Sequence, residues 1–210
     1  MFQGQLFSST VTTLIDEDSC RVDYHPAYLS QDFADQLFCE LLQMEGWRQD
    51  HIFVYGKRSP LPRLHRWFST DNSEYRWSGI VMHPEPFPVI TKSLLNMLGD
   101  ETQAELNTAL ANLYRNNKDS VSWHSDDEPE MGQEPIIASI SLGETRRFVF
   151  RCKSNRLHKV YVDLEHGSLL LMRGKTQSLW EHSVPRTQRA RKERINITFR
   201  AIQRRRIEGF

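Results

Sequence analysis

The chain has 210 residues and a mass of 24.7 kDa, enough for one domain that hides roughly 70% of its unfolded surface without disulfide staples. An apolar fraction of 39%, with eleven Phe, six Tyr and five Trp, excludes a disordered chain, and no apolar run approaches the ~20 residues of a membrane helix. Basic and acidic residues balance at 27 each, which as a total speaks against a nucleic-acid partner.

The first residues, MFQGQLFSST, lack the charged and long apolar regions of a secretory signal. Three widely spaced cysteines, Cys20, Cys39 and Cys152, form no CxxC pair. Together these features predict free thiols in a reducing compartment, the cytoplasm or, in a eukaryote, the nucleus. Ser30 is placed to cap a helix running to about Met44, with Phe33, Leu37, Leu41 and Leu42 on one face and Gly46 as its stop. Residues 56–79 are rich in Pro, Arg, Ser and aromatics with little periodicity, which predicts a long functional lid or binding loop. A second helix is expected after Pro88, carrying Val89, Ile90, Leu94, Leu95 and Leu98 and ending at Gly99. From about residue 108 the period changes to two. Ile136–Leu142, Phe148–Cys152, Val160–Leu164, Ser168–Met172 and Ile195–Ile202 read as short strands between turns. Two helices followed by many strands predict a mostly β fold, a β-sandwich or jelly roll backed by helices.

Charge is segregated along this plan. Residues 16–50 hold nine acids against two bases, residues 51–76 five bases against two acids, and residues 186–206 nine bases against one acid. A neutral chain with basic stretches of this kind can still follow a phosphate backbone, although a solvated terminal charge run has the same composition.

The last strand separates its chemistry by face. Ile195, Ile197 and Phe199 alternate with Arg194, Asn196, Thr198 and Arg200. The polar face is either the wet side of an edge strand or a ladder that grips an anion, because arginine offers a planar fork to a carboxylate. Asn112 and Tyr114 share a face in the same way, with Leu113 opposite. His124-Ser-Asp126 puts an imidazole and a carboxylate on one side of an extended segment, and His182 sits on a later strand-like stretch. Two histidines and one carboxylate with three open positions form the facial triad of non-haem Fe(II) oxygenases, whose open positions accept a 2-oxo acid and then O2. An HxD pair alone is common; an HxD, a distal His and an RxNxTxR strand twelve residues beyond it are together specific.

Asn112-Leu-Tyr114, Trp123-His-Ser-Asp-Asp-Glu128, Pro135-Ile-Ile-Ala-Ser-Ile-Ser-Leu-Gly143, His166-Gly-Ser-Leu-Leu170, His182 and Arg194-Ile-Asn-Ile-Thr-Phe-Arg200 resemble the motifs of the AlkB family. These are Fe(II)/2-oxoglutarate dioxygenases that repair alkylated nucleic acids, and the likeness, over about residues 50–202, is to the animal DNA- and RNA-demethylating branch. The resemblance implies a double-stranded β-helix (jelly-roll) dioxygenase core over 108–202, a nucleotide-recognition lid and helix over 50–107, a supporting N-terminal segment over 1–49 and a basic tail over 203–210. It implies His124, Asp126 and His182 as the iron ligands. Arg194, with Tyr114 and Asn196 beside it and Thr198 on the same face, would hold the distal carboxylate of 2-oxoglutarate. Arg200 and Asn112 would lie near its 1-carboxylate, with Arg200 also steadying Asp126.

The implied reaction is oxidative removal of an N-methyl group from bases such as 1-methyladenine and 3-methylcytosine. Succinate, CO2 and formaldehyde are released, and O2 is the second cosubstrate. A base within a duplex must be flipped out or already unpaired to reach the metal. Trp77-Ser78 would stack the target base, with the His124 ring on its other face, unless Trp77 is an ordinary core residue. Asp127 or Glu128 would face the base's exocyclic amine, unless either is a solvated turn charge. Lys57, Arg58, Arg63 and Arg66, with Arg186, Arg189 and Arg191, are candidates for phosphate contacts. No hydrophobic finger for entering a duplex is evident, so action on single-stranded or loosely paired nucleic acid is expected; a monomer is also expected. A superfamily hydroxylase acting on protein, lipid or a small molecule, and a non-catalytic jelly-roll binding module, are the alternatives.

Overall fold

The structure, a computed structural model, describes residues 10–203 apart from 55, 72, 78 and 190. Thr12–Glu17 (β1) and Cys20–His25 (β2) form a hairpin. A helix, Gln31–Gln43 (α1), follows. His51–Val54 (β3) and Lys57–Pro60 (β4) make a second hairpin, followed by Leu64–Ser69 (β5). Tyr75–Trp77 (β6) and Ile80–Met82 (β7) make a third, before the helix Val89–Thr102 (α2). Then come Thr108–Tyr114 (β8), Val121–His124 (β9), Ile137–Gly143 (β10), Arg146–Cys152 (β11), Lys159–Leu164 (β12) and Ser168–Gly174 (β13). One helical turn, Thr176–Leu179 (α3), leads into Trp180–Val184 (β14), and Arg194–Arg200 (β15) closes the fold.

Seven strands pair antiparallel in the order β1-β2-β13-β10-β15-β8-β5, and four more in the order β12-β11-β14-β9. Alternation then assigns each residue of the larger sheet to one of two cores. Ala138, Ile140, Leu142, Ile195, Ile197, Phe199 and Ala109 pack outward against Leu37 and Leu41 of α1 and Leu94, Leu95 and Leu98 of α2. On the other face, Tyr24, Ile137, Leu170 and Met172 meet Val121, Phe150, Leu164 and Trp180 of the smaller sheet. This is the expected jelly roll backed by helices, and the polar ladder of β15 falls between its two sheets. A third, smaller core of Leu61, Trp67, Tyr75, Ile80, Met82, Met131 and Ile202 holds the β6–β7 hairpin down. No helix of the described residues is long and apolar enough to cross a membrane.

The predicted helices form, with one boundary shifted. Ser30 caps α1 by accepting from the Phe33 amide. The second helix runs through Gly99 to Thr102 and ends on Gln103 in the left-handed conformation, φ 55°. Gly99 allows a close approach: a Cβ there would lie 3.2 Å from the Ala104 carbonyl oxygen. Three further expectations are corrected. Strands do not begin at residue 108, because β1, β2 and β5 all belong to the larger sheet. Residues 56–79 are not one long loop, since they contain β4, β5 and β6. The Arg194–Arg200 strand is not an edge: it lies between β10 and β8, and all seven residues are buried. Of the basic tail, residues 204–210 lie outside the described residues.

Candidate active site

β9 carries His124 at its end and Asp126 two residues beyond, while β14 places His182 opposite His124 in the ladder. Ligand atoms of these three side chains all lie within 4.8 Å of one another. The His124 Nδ1–H donates to the Ser122 carbonyl at 2.9 Å, which leaves Nε2 as the ring's lone-pair nitrogen. Phe148 stacks on the His182 ring at 5.1 Å between centroids. Burial, with His124 next, pushes the His182 imidazole down to about 3, and burial lowers His124 as well, so both are held neutral, the form that ligates. Burial alone would raise the Asp126 carboxyl, but Arg200, then His182, His124 and Arg63, outweigh it and keep the group ionised. The Asp126 amide donates to the buried Gln177 Oε1 at 2.9 Å, which fixes the loop that carries the ligand. Two neutral imidazoles and one carboxylate on one side of a cavity suit a divalent first-row metal such as Fe(II), with positions to spare.

The anion side of the cavity is built by β15 and β8. Their register sets Arg194 beside Tyr114 and Asn196 beside Asn112. Arg194 is 1% exposed; its Nη2 donates to Ser141 Oγ at 2.9 Å, its guanidinium lies 5.0 Å from the Tyr114 ring centroid, and Nε and Nη1 have no partner. A buried cation with two idle donors facing a cavity is a site for a carboxylate. Arg200 is 2% exposed, stands 3.6 Å from Asp126 Oδ1 through Nη1, also meets the Tyr75 hydroxyl at 3.3 Å, and leaves Nε unpaired. A three-carbon spacer between two carboxylates, as in 2-oxoglutarate, matches a cavity with one arginine beside the triad and another further along the same strand. Asn196 differs from the expectation that it offers its amide to a ligand. Its Nδ2 donates to Ser139 Oγ at 2.7 Å and to the Ile140 carbonyl at 3.0 Å, and its Oδ1 accepts from Thr198 at 3.1 Å. Asn196 and Thr198 therefore brace the ladder, although both line the cavity.

The remaining predicted residues are divided by their surroundings. Glu128 accepts from the Tyr75 hydroxyl at 2.7 Å beside Arg200, and its Oε2 is buried without a partner. Asp127 is exposed and pairs with Lys153 at 3.1 Å, so of the two acids Glu128 is the one that reaches a cavity-lining side chain, Tyr75. Ser78 and the side chain of Trp77 lie outside the described residues. Arg63 and Arg66 do not fit the surface phosphate role expected of them. Arg66 is buried and paired with Glu85. Arg63 is 6% exposed, lines the cavity, and donates through Nε to Asn112 Oδ1 at 2.8 Å. Arg191 is paired with Glu144 at 2.8 Å, whereas Lys57, Arg58, Arg186 and Arg189 are exposed. Sequence reasoning missed the cavity roles of Arg63, Tyr75 and Phe148, and the acceptor that Gln177 offers to the Asp126 amide. The alternation of Arg63, His65 and Trp67 was the available signal for the first.

Residues 21–200 match the model of the 2OG-Fe(II) oxygenase superfamily. The chain is 39% identical over 192 residues to the "Alpha-ketoglutarate-dependent dioxygenase alkB homolog 3" of Homo sapiens, covering 87% of this chain and 66% of that protein. It is 32% identical over 179 residues to the "DNA oxidative demethylase ALKBH2" of Mus musculus, covering 80% of this chain and 75% of that one. Among solved structures it superposes on the one described as "The structure of OsALKBH1" with a TM-score of 0.58 and 21% identity, over 85% of this chain and 97% of that one, a likeness of fold. The chain thus spans about two thirds of the length of its human relative.

Proposed function

The chain belongs to the AlkB family of the 2OG-Fe(II) oxygenase superfamily, and from that premise we propose that it oxidatively demethylates N-alkylated bases, 1-methyladenine and 3-methylcytosine, in DNA, with RNA as a second substrate. The observation that carries this reading is the convergence, in one cavity, of the His124–Asp126–His182 group and two buried arginines with idle donors. Bound there, Fe(II), 2-oxoglutarate and O2 supply the oxidising power to hydroxylate an N-methyl carbon, with succinate, CO2 and formaldehyde as the other products.

His124, Asp126 and His182 hold the metal. Arg194, with Tyr114 beside it, takes the distal carboxylate; Arg200 and Asn112 take the end nearer the metal, and Arg200 also holds Asp126 in place. Asn196 and Thr198 keep the two arginines in register. Glu128 faces the base, where a carboxylate favours the positive charge that N1 or N3 methylation brings. Lys57, Arg58, Arg186 and Arg189 contact phosphates without reading sequence. The protein works as a monomer, on single-stranded or loosely paired nucleic acid, in the cytoplasm or in a eukaryotic nucleus; its three free cysteines agree with either compartment.

The test incubates the protein with Fe(II), 2-oxoglutarate and an oligonucleotide carrying 3-methylcytosine, and reads the oligonucleotide by mass. Loss of one methyl group is expected. Succinate formation with the methyl retained would remove the demethylase reading and leave an oxygenase of other substrate. Matched single- and double-stranded DNA and RNA carrying one lesion would then rank the substrates.

A further inference from the structure

We propose that Arg63 is a positioning residue that locks the side-chain amide of Asn112 with its Nδ2 turned into the cavity, toward the metal-proximal end of 2-oxoglutarate. The proposal rests on the assignment of Asn112 to that end.

Arg63 stands just before β5, which pairs with β8 so that His65 lies opposite Asn112. From there its side chain reaches Asn112 Oδ1 through Nε at 2.8 Å. Both side chains are buried and both line the cavity. A guanidinium has only donors, so the atom it meets must be the amide oxygen, and the amide nitrogen must face the other way. This settles an orientation that an isolated asparagine leaves open. Asn112 Nδ2 is then a pair of N–H donors with no acceptor among the described residues. The second cavity amide, Asn196, is already satisfied on both its ends. Asn112 is therefore the amide available to an anion, and Arg63 decides that it presents donors rather than an oxygen. With the oxygen inward, the same side chain would repel a carboxylate. Burying a guanidinium is costly without compensation. The Asn112 oxygen, the Tyr114 hydroxyl and the Asp119 and Asp126 carboxylates offset part of that cost.

The experiment is an anaerobic calorimetric titration of the Fe(II)-loaded full chain with 2-oxoglutarate. It compares the parent with Arg63→Met, Arg63→Gln, Asn112→Ala, Asn112→Asp and the double variant Arg63→Met/Asn112→Ala. Arg63→Met and Asn112→Ala are each expected to weaken binding about tenfold, the scale of one hydrogen bond to a charged group. If Arg63 acts through Asn112, the double variant is no weaker than Asn112→Ala alone. Arg63→Gln, which keeps an N–H donor without the charge, recovers most of the loss. Asn112→Asp, which offers an oxygen in place of the N–H donors, binds more weakly than Asn112→Ala. This last comparison holds even if Arg63→Met does not fold. Losses that add in the double variant, or Asn112→Asp binding as well as the parent, overturn the proposal while leaving Asn112 a cosubstrate contact. Full affinity in Asn112→Ala instead overturns the underlying assignment, and the proposal with it.

Discussion

The sharpest consequence of the cavity is that one substitution should separate cosubstrate binding from nucleic-acid binding. Arg194 is 1% exposed, with one donor committed to Ser141 and two unpaired nitrogens, Nε and Nη1. Arg194→Met keeps an aliphatic stem against the Tyr114 ring and removes all the donors. If both idle donors serve one carboxylate, each charge-assisted bond contributes about 1.5–3 kcal/mol. Their joint loss, after some rearrangement, comes to about 3–4 kcal/mol, or roughly two to three orders of magnitude in Kd. The assay pairs anaerobic calorimetry of 2-oxoglutarate binding with fluorescence anisotropy of a methylated oligonucleotide, both on metal-loaded protein. The 2-oxoglutarate Kd should rise by about a hundredfold or more, because nothing nearby replaces a buried donor pair. The oligonucleotide Kd should change by less than about twofold, because surface phosphate contacts supply most of that affinity. Equal losses in both would refute the assignment of Arg194, and so would an unchanged 2-oxoglutarate Kd.

Three other outcomes follow from neighbouring contacts. Gln177→Leu removes the acceptor of the Asp126 amide and should weaken metal binding about tenfold, with retained thermal unfolding cooperativity; metal titration against a competing chelator reads it. Asp119 is buried and accepts from the Arg115 amide, Nε and Nη2, interactions that overcome a burial effect raising its pKa and leave it lowered. A carboxyl whose folded pKa is depressed contributes stability above its unfolded value, near 4, and loses it as pH falls through the folded value. Asp119→Asn should therefore unfold about 1–3 kcal/mol more easily at pH 7, with the gap to the parent closing in denaturant titrations below about pH 4. Finally, Lys57→Ala and Arg58→Ala should each lower the salt slope of oligonucleotide binding by about one and leave 2-oxoglutarate affinity unchanged.

What could be read from the sequence was what depends on local periodicity. Arg194 to Arg200 alternate so regularly that a strand with one polar face was visible, although not whether that face was wet or buried, and Ser30 followed by Leu37 and Leu41 was enough for α1. His124 and Asp126 sit two residues apart, so one extended segment aims both. What escaped depends on partners far along the chain. Thr12–Glu17 and Cys20–His25 are short and polar, with a turn through Asp18 and Ser19 at positive φ and no glycine to mark it. The pair joins the larger sheet through β2 alone, whose partner β13 lies about 150 residues later. Arg63 and Arg66 looked like surface cations because their type usually is. Asn112 and Glu85 draw them inward, and nothing within a few residues of either arginine announces that.

The order of the larger sheet also sets a timetable for biosynthesis. β2 must wait for β13 and β8 for β15, so the strands made first pair with strands made last. A nascent chain that has emerged only as far as β12 has its hairpins and helices but lacks the two strands that would join them. Such a topology folds late and slowly, with unpaired edges exposed until β13 and β15 have been made. Because Arg194 and Arg200 ride on β15, the cavity cannot hold its anion before that strand has emerged. A ribosome stalled shortly before residue 194 would therefore present an aggregation-prone intermediate, and release of the final strand would commit the sheet and the site together.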